Sequence, residues 1–420
     1  MKRIILGILL SVVSLALFVI GIFISIDKNN DSTYNTNDFK LERKDNLLDI
    51  KNNYNTTVLV VKDTNIYKKT DNQYIKDGTI YKDSIIDLEE IDVLTKDNEY
   101  FNIVGTDYYI NYLDITPHKR VDYGDYYDNY VSISKINTKD DIDLYYDNKP
   151  ILHINDGMNF DVVINDTDMY YVKYLNRLVG IRKVDVKFTV NSDINSGDLA
   201  QNIPVLNYHF FYDLDSGEEC NQSICLKKSI FDEHLKYLKD NGYNTLSVKD
   251  LDLWLDRKIE LPAKSVLITV DDGAMGTDTH LIELLEKYDL RATLFLITSW
   301  WDKDKYKSHN LDIQSHGDNI HVERYCNGVS RGAKGLCLSK EELVKDFKKS
   351  INKLDGENTA FCYPFYLYNK NMLDAMKEVG FKLGFAGGDR KVKRTDDKYM
   401  LPRYIIYNYD DVNMLKNILK

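Results

Sequence analysis

The sequence lacks the excess of basic residues that nucleic-acid-binding proteins need. Its 420 residues carry a formal net charge of −11, and acidic and basic side chains are interspersed without a basic stripe. Binding to a phosphate backbone depends on clustered Lys and Arg. Nucleic acid is therefore excluded as a partner, and long-range attraction would not capture another anionic polymer.

Cysteine is scarce, with five residues and no pair at the Cys-x-x-Cys spacing of many zinc sites. Cys220 and Cys225 are five residues apart, and Cys326 and Cys337 are eleven apart. In an oxidising compartment each pair is most simply a local disulfide, with a zinc site of cysteines as the competing interpretation. Cys362 stands alone in an apolar stretch, which is typical of a small buried side chain.

Tryptophan is rare, with 3 residues, whereas tyrosine is abundant, with 32. This composition suits both tyrosine-rich β-structure and aromatic surfaces that face sugars. The hydrophobic content of 43% is ample for packed cores and argues against general disorder. The length exceeds that of one average domain and predicts two or three.

The amino terminus lacks the small-residue cleavage site of a signal peptide. Residues 4–26 form an uncharged apolar run of 23 residues that follows Lys2 and Arg3. Such a run can span a bilayer as one helix, and the two basic residues favour a cytoplasmic N-terminus. We therefore expect residues 1–26 to be a single-pass anchor in the cell membrane, with the rest of the chain extracellular. A buried core helix is the alternative.

Helical periodicity of useful length is missing before residue 225. Residues 27–53 are rich in Asn, Asp and Lys, which indicates a linker. Beyond them, short apolar runs bounded by Asp, Asn and Gly indicate strands, and a weak repeat predicts two small all-β units at 54–117 and 128–190. These units resemble bacterial SH3-like domains, which implies either contact with wall peptides or a spacer role.

The pattern changes to alternating strands and helices over residues 203–420. Repeated βα units of this length predict a parallel sheet, either closed as a barrel or open. In a barrel, the active site lies at the carboxyl ends of the strands. Residues that suit a metal hydrolase follow four predicted strands: His209, Asp271 with Asp272, His316 with His321, and Pro364.

Two adjacent carboxylates follow the apolar, β-branched run at 266–270. Neighbouring carboxylates repel each other, so a fold that places Asp271 and Asp272 at a strand end usually has a cation or a proton to share between them. The alternative is an ordinary Asp-Gly turn that closes the strand at Gly273. We interpret Asp272 as a metal ligand and Asp271 as the group that handles a proton.

His316 and His321 are five residues apart, a spacing that no regular element brings to one ion. On a helix they would lie about 140° apart, and on a strand they would face opposite sides. A loop at 317–319 can bring both to one ion, and Gly-Asp-Asn is typical loop sequence. One carboxylate and two imidazoles would leave positions for water on Zn²⁺, as in a catalytic site. Two unrelated surface histidines are the alternative.

Four separated segments occur in the order found in one enzyme family: 269–273, 291–295, 315–321 and 361–365. Through them, residues 203–420 resemble the polysaccharide deacetylases (NodB-like, carbohydrate esterase family 4). The five-residue histidine spacing is similar to that of the poly-N-acetylglucosamine deacetylase branch. The resemblance implies an α/β fold, a distorted (β/α)7 barrel, that removes N-acetyl groups from amino sugars. The implied cofactor is Zn²⁺ or another divalent transition metal such as Co²⁺ or Ni²⁺.

The resemblance also implies roles for single residues. It gives Asp271 the role of general base, and it makes Asp272 and the two histidines metal ligands. A backbone N–H just after Pro364, that of Phe365 or Tyr366, is expected to stabilise the tetrahedral oxyanion.

The sequence departs from the family in the surroundings of these residues. Gly317 stands where the family usually has Ser or Thr. The family's arginine before the proline is absent, and Cys362 and its neighbour stand there instead. Arg403 is our candidate for orienting Asp271, and an ion pair elsewhere is the alternative for this arginine.

The usual C-terminal catalytic acid of the family is missing, because no histidine follows His321. His209, directly after the predicted strand 204–208, is the expected substitute and would protonate the leaving amine. A structural histidine near the barrel rim is the alternative.

The expected function is metal-dependent N-deacetylation of N-acetylglucosamine units in a cell-envelope polysaccharide, with release of acetate. The predicted anchor and SH3-like units favour peptidoglycan slightly, whereas the histidine spacing favours a poly-N-acetylglucosamine exopolysaccharide. The alternative is a catalytically weak wall-binding protein that keeps the barrel as a glycan-binding scaffold. The missing arginine and the missing acid favour that alternative.

Overall fold

The computed structural model describes residues 57–71, 73–89, 100–119, 129–324 and 333–420. The chain divides into two compact units, which are described separately. The first contains the described residues up to 119 together with Ile151–His153, and the second contains the other described residues. The predicted linker at 27–53 lies outside the described residues.

The first unit is built from short antiparallel strands. They are β1 (Thr57–Val60), β2 (Thr64–Thr70), β3 (Gln73–Ile80), β4 (Ile85–Asp87), β5 (Tyr100–Asn102), β6 (Tyr108–Asn111) and β7 (Ile115–Pro117). One sheet has the order β4-β1-β7, and β3-β2-β6-β5 are neighbours in another. Val58, Ile66 and Ile110 are fully buried, because alternate side chains of each strand face the core. The SH3-like assignment of this unit stays a prediction.

The second unit begins with another antiparallel sheet, in the order β14-β8-β11-β12-β13-β9. The strands in this part of the sequence are β8 (Ser134–Thr138), β9 (Ile142–Tyr146), β10 (Lys149–Ile154), β11 (Asn159–Asn165), β12 (Met169–Tyr174), β13 (Arg177–Arg182) and β14 (Val186–Asn191). Residues Ile151–His153 of β10 are counted with the first unit. Leu175 and Asn176 take positive φ between β12 and β13, as a tight hairpin turn requires. Val163 and Ile164 share a hydrophobic cluster with Trp254, so this sheet packs onto the remainder of the second unit.

The remainder of the second unit alternates strands and helices. Its strands are β15 (Asn202–Ile203), β16 (Val205–Tyr208), β17 (Phe210–Tyr212), β18 (Cys225–Lys227), β19 (Asn244–Thr245), β20 (Ser265–Asp272), β21 (Ala292–Leu296), β22 (Leu311–Ser315), β23 (Ala360–Cys362), β24 (Leu383–Phe385), β25 (Val392–Lys393) and β26 (Tyr404–Ile405). Its α-helices are α1 (Lys228–Asp240), α2 (Val248–Leu255), α3 (Ile282–Tyr288), α4 (Lys340–Lys353), α5 (Lys370–Val379) and α6 (Val412–Leu419).

A curled parallel sheet forms the centre of this region. Its strand order is β24-β23-β22-β21-β20-β16-β26, and every neighbouring pair is parallel. The two ends of the sheet approach each other, because Leu401, just before β26, forms a parallel bridge to Phe385 of β24. The Leu401 N–H also donates to the Gly384 carbonyl at 2.8 Å. This arrangement fits the predicted distorted (β/α)7 barrel.

Local sequence explains why these elements form where they do. All eight residues of β20 are buried, which suits a run of β-branched and apolar residues in a sheet covered on both faces. At the start of α4, the Ser339 side chain accepts from the Glu342 N–H, and the Glu342 side chain accepts from the Ser339 N–H. This capping box satisfies two backbone donors that the helix itself cannot satisfy.

The cysteines are found in two states. Cys220 and Cys225 form a disulfide that closes the loop before β18. Cys337 is disulfide-bonded as well, whereas Cys326, its predicted partner, lies outside the described residues. Cys362 is a free, fully buried thiol at the end of β23.

The single-pass membrane localisation predicted from the sequence is contradicted. Within the described ranges, no helix combines the length and the apolar character that crossing a bilayer requires. Residues 1–26, on which that prediction was based, lie outside the described residues.

Candidate active site and metal centre

The two aspartates end β20 at a strained turn. Asp272 has a φ of 76°, and Gly273 follows with a φ of 81°. A left-handed conformation in a non-glycine residue costs about 1–3 kcal/mol and is concentrated at functional sites. A side chain at position 273 would also place its Cβ 2.4 Å from Leu296 Cδ1, so only glycine fits there. The hydroxyl of Tyr306 donates to the Gly273 carbonyl and holds the turn.

Asp272, His316 and His321 converge on one point. The Oδ1 atom of Asp272 lies 3.4 Å from His316 Nε2 and 3.3 Å from His321 Nε2. This oxygen is buried and has no hydrogen-bond partner in the part of the chain that the structure describes. A buried carboxylate oxygen without a donor is costly, so its position beside two imidazole nitrogens indicates a cation site.

The orientation of His316 is set by its second nitrogen. Nδ1 donates to the carbonyl oxygen of Cys362 at 2.8 Å, which leaves the Nε2 lone pair directed towards Asp272. The chain then turns at Gly317, whose φ is 84°. A Cβ there would lie 2.7 Å from Ile320 Cγ1, so glycine allows the loop that brings His321 back to the site.

Asp271 is held by a buried arginine. Arg403 is fully buried, and its Nη1 and Nη2 atoms donate to the two carboxylate oxygens of Asp271, each at 2.8 Å. Burial raises the pKa of Asp271, but the charge and hydrogen bonds of Arg403 outweigh burial and leave the pKa well below its usual range. Asp271 is therefore an ionised carboxylate in a fixed orientation.

A second group of potential ligands, Asp271, His316 and Cys362, overlaps the first. The Arg403 guanidinium already contacts two of these three side chains, because its Nη2 lies 2.8 Å from both Asp271 Oδ2 and Cys362 Sγ. A metal ion there would be repelled by that positive charge. This group therefore fits a metal less well than Asp272 and its two histidines do.

The donor set around Asp272 fits a divalent transition metal. Burial lowers the pKa of His321 to about 4, so this imidazole is neutral, as a metal ligand must be. One carboxylate and two imidazoles form an incomplete tetrahedral set that leaves room for water or substrate. Imidazole ligands suit Zn²⁺, Co²⁺ and Ni²⁺ alike, so the donor set supports a metal site without selecting the metal.

His209 lies beside Asp271, at the end of β16. Its Nε2 atom is 4.0 Å from Asp271 Oδ2 and 3.1 Å from the Tyr366 hydroxyl. That hydroxyl also donates to Asn207 Oδ1 at 2.9 Å. Burial lowers the pKa of His209 despite the neighbouring carboxylates. The structure thus places the expected acid within reach of the same centre as the expected base.

The segment after Pro364 differs in one respect from the sequence expectation. Phe365 and Tyr366 have φ values of 56° and 63°, so two consecutive non-glycine residues take the left-handed backbone conformation. The Tyr366 N–H donates to the Tyr363 carbonyl at 2.9 Å and is therefore already used within the turn. The Phe365 N–H is the remaining candidate of the two.

Aromatic rings flank the candidate metal ligand His321. The Phe365 ring stacks on the imidazole at a centroid distance of 4.6 Å, and the Trp300 ring meets it edge-on at 5.7 Å. Trp300 is 50% exposed and Phe365 is 37% exposed, although both rings are large and apolar. The site is therefore bordered by solvent-accessible aromatic surface.

Sequence reasoning missed the side-chain contacts of Cys362, Tyr366 and Asn207. The sequence indicates only a small buried residue at Cys362, yet its Sγ is 3.3 Å from Asp271 Oδ2. For Tyr366 the sequence indicates a possible role of the backbone N–H and none of the side chain. The only sequence feature that points to this segment is the apolar motif around Pro364. That motif does not predict the positive φ of Tyr366 or the contact of its hydroxyl with Asn207 on β16.

Comparison with known proteins gives this site a family context. Residues 258–384, which include Asp271, Asp272 and both candidate histidine ligands, match the family model described as polysaccharide deacetylase. YxkH of Bacillus subtilis (strain 168), named as a polysaccharide deacetylase, is 29% identical over 210 residues, covering 48% of this chain and 70% of YxkH. The poly-beta-1,6-N-acetyl-D-glucosamine N-deacetylase of Staphylococcus epidermidis is 26% identical over 267 residues, covering 56% of this chain and 86% of that protein.

The chain is also similar in part to a solved structure. The Streptococcus pyogenes deacetylase PplD in complex with acetate has a TM-score of 0.45 and 24% identity, covering 52% of this chain and 98% of that chain. The family match and the similarity to named deacetylases lead to the same assignment: the chain contains a polysaccharide deacetylase domain and is a hydrolase of that family.

Proposed function

We propose that this protein hydrolyses the N-acetyl amides of N-acetylglucosamine units in a polysaccharide and releases acetate. One observation carries the proposal: the buried Oδ1 of Asp272, which accepts no hydrogen bond from the described residues, faces two imidazole nitrogens directly beside the ionised Asp271. Amide hydrolysis needs an electrophilic centre and a base that are fixed next to each other. This pair of aspartates supplies the positions for both.

Asp272, His316 and His321 would hold the divalent metal, with Zn²⁺, Co²⁺ and Ni²⁺ as the candidates. When bound, such an ion polarises the acetamide carbonyl and lowers the pKa of a water molecule. The protein's own contribution is to orient the ligands. The Cys362 carbonyl fixes the ring of His316, and Gly317 permits the loop that carries His321.

Asp271 would accept the proton from the attacking water. Its two oxygens are oriented by Arg403, which also keeps the carboxylate ionised at neutral pH. A base in a fixed orientation avoids the reorganisation that a mobile carboxylate would need. We assign to Arg403 the positioning role that the family arginine would have had at the position of Cys362.

His209 would protonate the leaving amine. Its Nε2 atom is 4.0 Å from Asp271 Oδ2 and 3.1 Å from the Tyr366 hydroxyl, so the proton that Asp271 takes from the attacking water could be passed through His209 to the amine. The Phe365 N–H would stabilise the oxyanion of the tetrahedral intermediate. The products would be acetate and a glucosamine unit.

We propose poly-β-1,6-N-acetyl-D-glucosamine as the first substrate to test, because the Staphylococcus epidermidis relative with that activity in its name matches 56% of this chain. Peptidoglycan, which the sequence favoured slightly, is the second. Both polymers present the same acetamide group, so a site built around that group does not choose between them. The choice must come from surfaces outside the metal centre.

Acetate release by the purified full chain tests the proposal on both polymers. We expect release that stops after EDTA treatment and returns with added Zn²⁺, Co²⁺ or Ni²⁺. Asp271→Asn should abolish release, and Asp161→Asn, which changes an exposed aspartate on β11, should have no effect. Circular dichroism would show that each variant is folded.

Two outcomes would change the conclusion. Acetate release that survives both EDTA and Asp271→Asn would show that the mechanism is wrong. Glycan binding without any acetate release would favour the alternative, in which the barrel is a glycan-binding scaffold.

A further inference from the structure

Tyr407 and Tyr409 form a stacked pair of rings on the surface. Their centroids are 5.4 Å apart and their planes are inclined by 14°. Tyr409 is 71% exposed, although large aromatic side chains normally bury most of their surface. Two adjacent rings that remain accessible to solvent suggest a ligand with an apolar face.

The pair lies at the same edge of the barrel sheet as the candidate active site. β26 runs parallel to β16, with Ile405 opposite Asn207, and the Ile406 N–H donates to the Asn207 carbonyl at 2.9 Å. Neighbouring strands are about 5 Å apart. Tyr407 therefore leaves the sheet where His209 does, at the carboxyl ends of the strands.

The turn that carries the two tyrosines is held by fixed hydrogen bonds. The Tyr407 N–H donates to Asp410 Oδ2 at 2.8 Å, and the Asp410 N–H donates to the Tyr407 carbonyl at 3.0 Å. Between them, the Asn408 N–H donates to the Ser223 carbonyl at 2.8 Å. Ser223 belongs to the loop that the 220–225 disulfide closes, so a cross-linked loop supports the aromatic turn.

We propose that Tyr407 and Tyr409 form a glycan-binding subsite outside the unit that is deacetylated. The inference rests on the proposed function, because the ligand is a further sugar unit of the same polysaccharide. The C–H face of a pyranose ring is apolar and matches an aromatic ring, whereas its hydroxyls remain in water. Rings that are already stacked and anchored lose little conformational freedom on binding.

Substrate length provides the test of this subsite. A dimer of N-acetylglucosamine fills little more than the reacting centre, whereas a pentamer extends along the rim. With the full chain and β-1,6-linked oligomers, Tyr409→Ala should lower kcat/KM for the pentamer about tenfold, which corresponds to about 1.4 kcal/mol. The value for the dimer should change less than about twofold. Tyr409→Phe should retain pentamer activity, because the ring is kept.

Phe188→Ala is the matched control, because Phe188 is an aromatic residue exposed to 56% on β14 rather than on this rim. It should leave the length dependence unchanged. An equal loss for dimer and pentamer in Tyr409→Ala, or no loss for the pentamer, would overturn the subsite.

A binding measurement separates this inference from the proposed function. Calorimetric titration of EDTA-treated protein with the pentamer reports affinity without turnover, and Tyr409→Ala should weaken it about tenfold. If the unmodified protein releases no acetate but Tyr409→Ala still weakens pentamer binding, the proposed deacetylation fails and the subsite stands. If the pentamer does not bind, or binds both proteins equally, the subsite is refuted.

Discussion

Replacing Arg403 with methionine should separate the structural and the catalytic roles of the Asp271–Arg403 pair. Arg403→Met removes the charge that faces Asp271 but retains most of the side-chain volume. Both residues are buried to 98% or more, and both carboxylate oxygens accept from the guanidinium. Removing one partner of such a pair leaves an uncompensated buried charge, which costs about 3–5 kcal/mol.

The expected size of the coupling follows from a double-mutant cycle. Arg403→Met and Asp271→Asn should each destabilise the second unit, because each leaves a buried polar group without its partner. The double variant contains neither charge. Its loss in the free energy of unfolding should be smaller than the sum of the two single losses by about 2–3 kcal/mol. Arg403→Lys, which keeps the charge but not the two parallel hydrogen bonds, should lie between the parent and Arg403→Met.

Urea unfolding followed by tryptophan fluorescence measures these energies in the relevant unit. The three tryptophans of the sequence are Trp254, Trp300 and Trp301, and all lie in the second unit. Additive losses in the double variant would refute the reasoning, because they would show that the two residues do not stabilise each other.

The same variant should change the pH dependence of deacetylation. Arg403 holds the pKa of Asp271 low, so its loss should raise that pKa. A general base works only when it is deprotonated, and the acidic limb of kcat in Arg403→Met should therefore move to higher pH. A reduced kcat with an unshifted acidic limb would contradict the assignment of Asp271 as the base.

Three further predictions test the loop, the core and the acid. Gly317 has a positive φ, and a Cβ there would contact Ile320, so Gly317→Ala should abolish zinc binding measured by calorimetry. Gly105 also has a positive φ but lies next to open space, so Gly105→Ala should retain zinc binding. Burial lowers the pKa of His234 to about 4, so the second unit should lose about 3 kcal/mol as pH falls from 6.5 to 4. His234→Gln should flatten that dependence in urea unfolding curves. Tyr366→Phe removes the hydroxyl beside His209 and should lower kcat about tenfold, which corresponds to about 1.4 kcal/mol, whereas Tyr368→Phe should not.

The barrel was predictable because its sequence pattern is local. The run at 266–270 is continuous, apolar and β-branched, and such runs become strands buried on both faces. The cap at Ser339 was equally readable, because a capping box needs only two residues three positions apart. The packing of β11 against Trp254 was not predictable, because it joins residues about ninety positions apart without a local signal.

The candidate metal ligands were also accessible from the sequence, since a loop was the only way for His316 and His321 to reach one ion. The oxyanion donor was not accessible to the same degree. The sequence offers two N–H groups after Pro364, and the structure shows that the Tyr366 N–H is used within the turn, where Phe365 and Tyr366 both have positive φ. Backbone dihedrals of non-glycine residues in this region follow from tertiary packing rather than from residue type.

Arg403 shows why a missing motif residue does not imply a missing function. The resemblance implies an arginine before the proline, where this chain has Cys362 and Tyr363 instead, and its absence favours a catalytically weak protein. In the structure, the guanidinium reaches Asp271 from beside β26, 132 residues away in sequence, and its Nη2 also contacts the Cys362 thiol at 2.8 Å. A smaller side chain at position 362 leaves space that an arginine from the closing end of the barrel fills. A positive charge therefore stands beside the proposed base although the motif arginine is absent, so geometry rather than motif spacing is the better guide to whether this site can act as a base and metal pair.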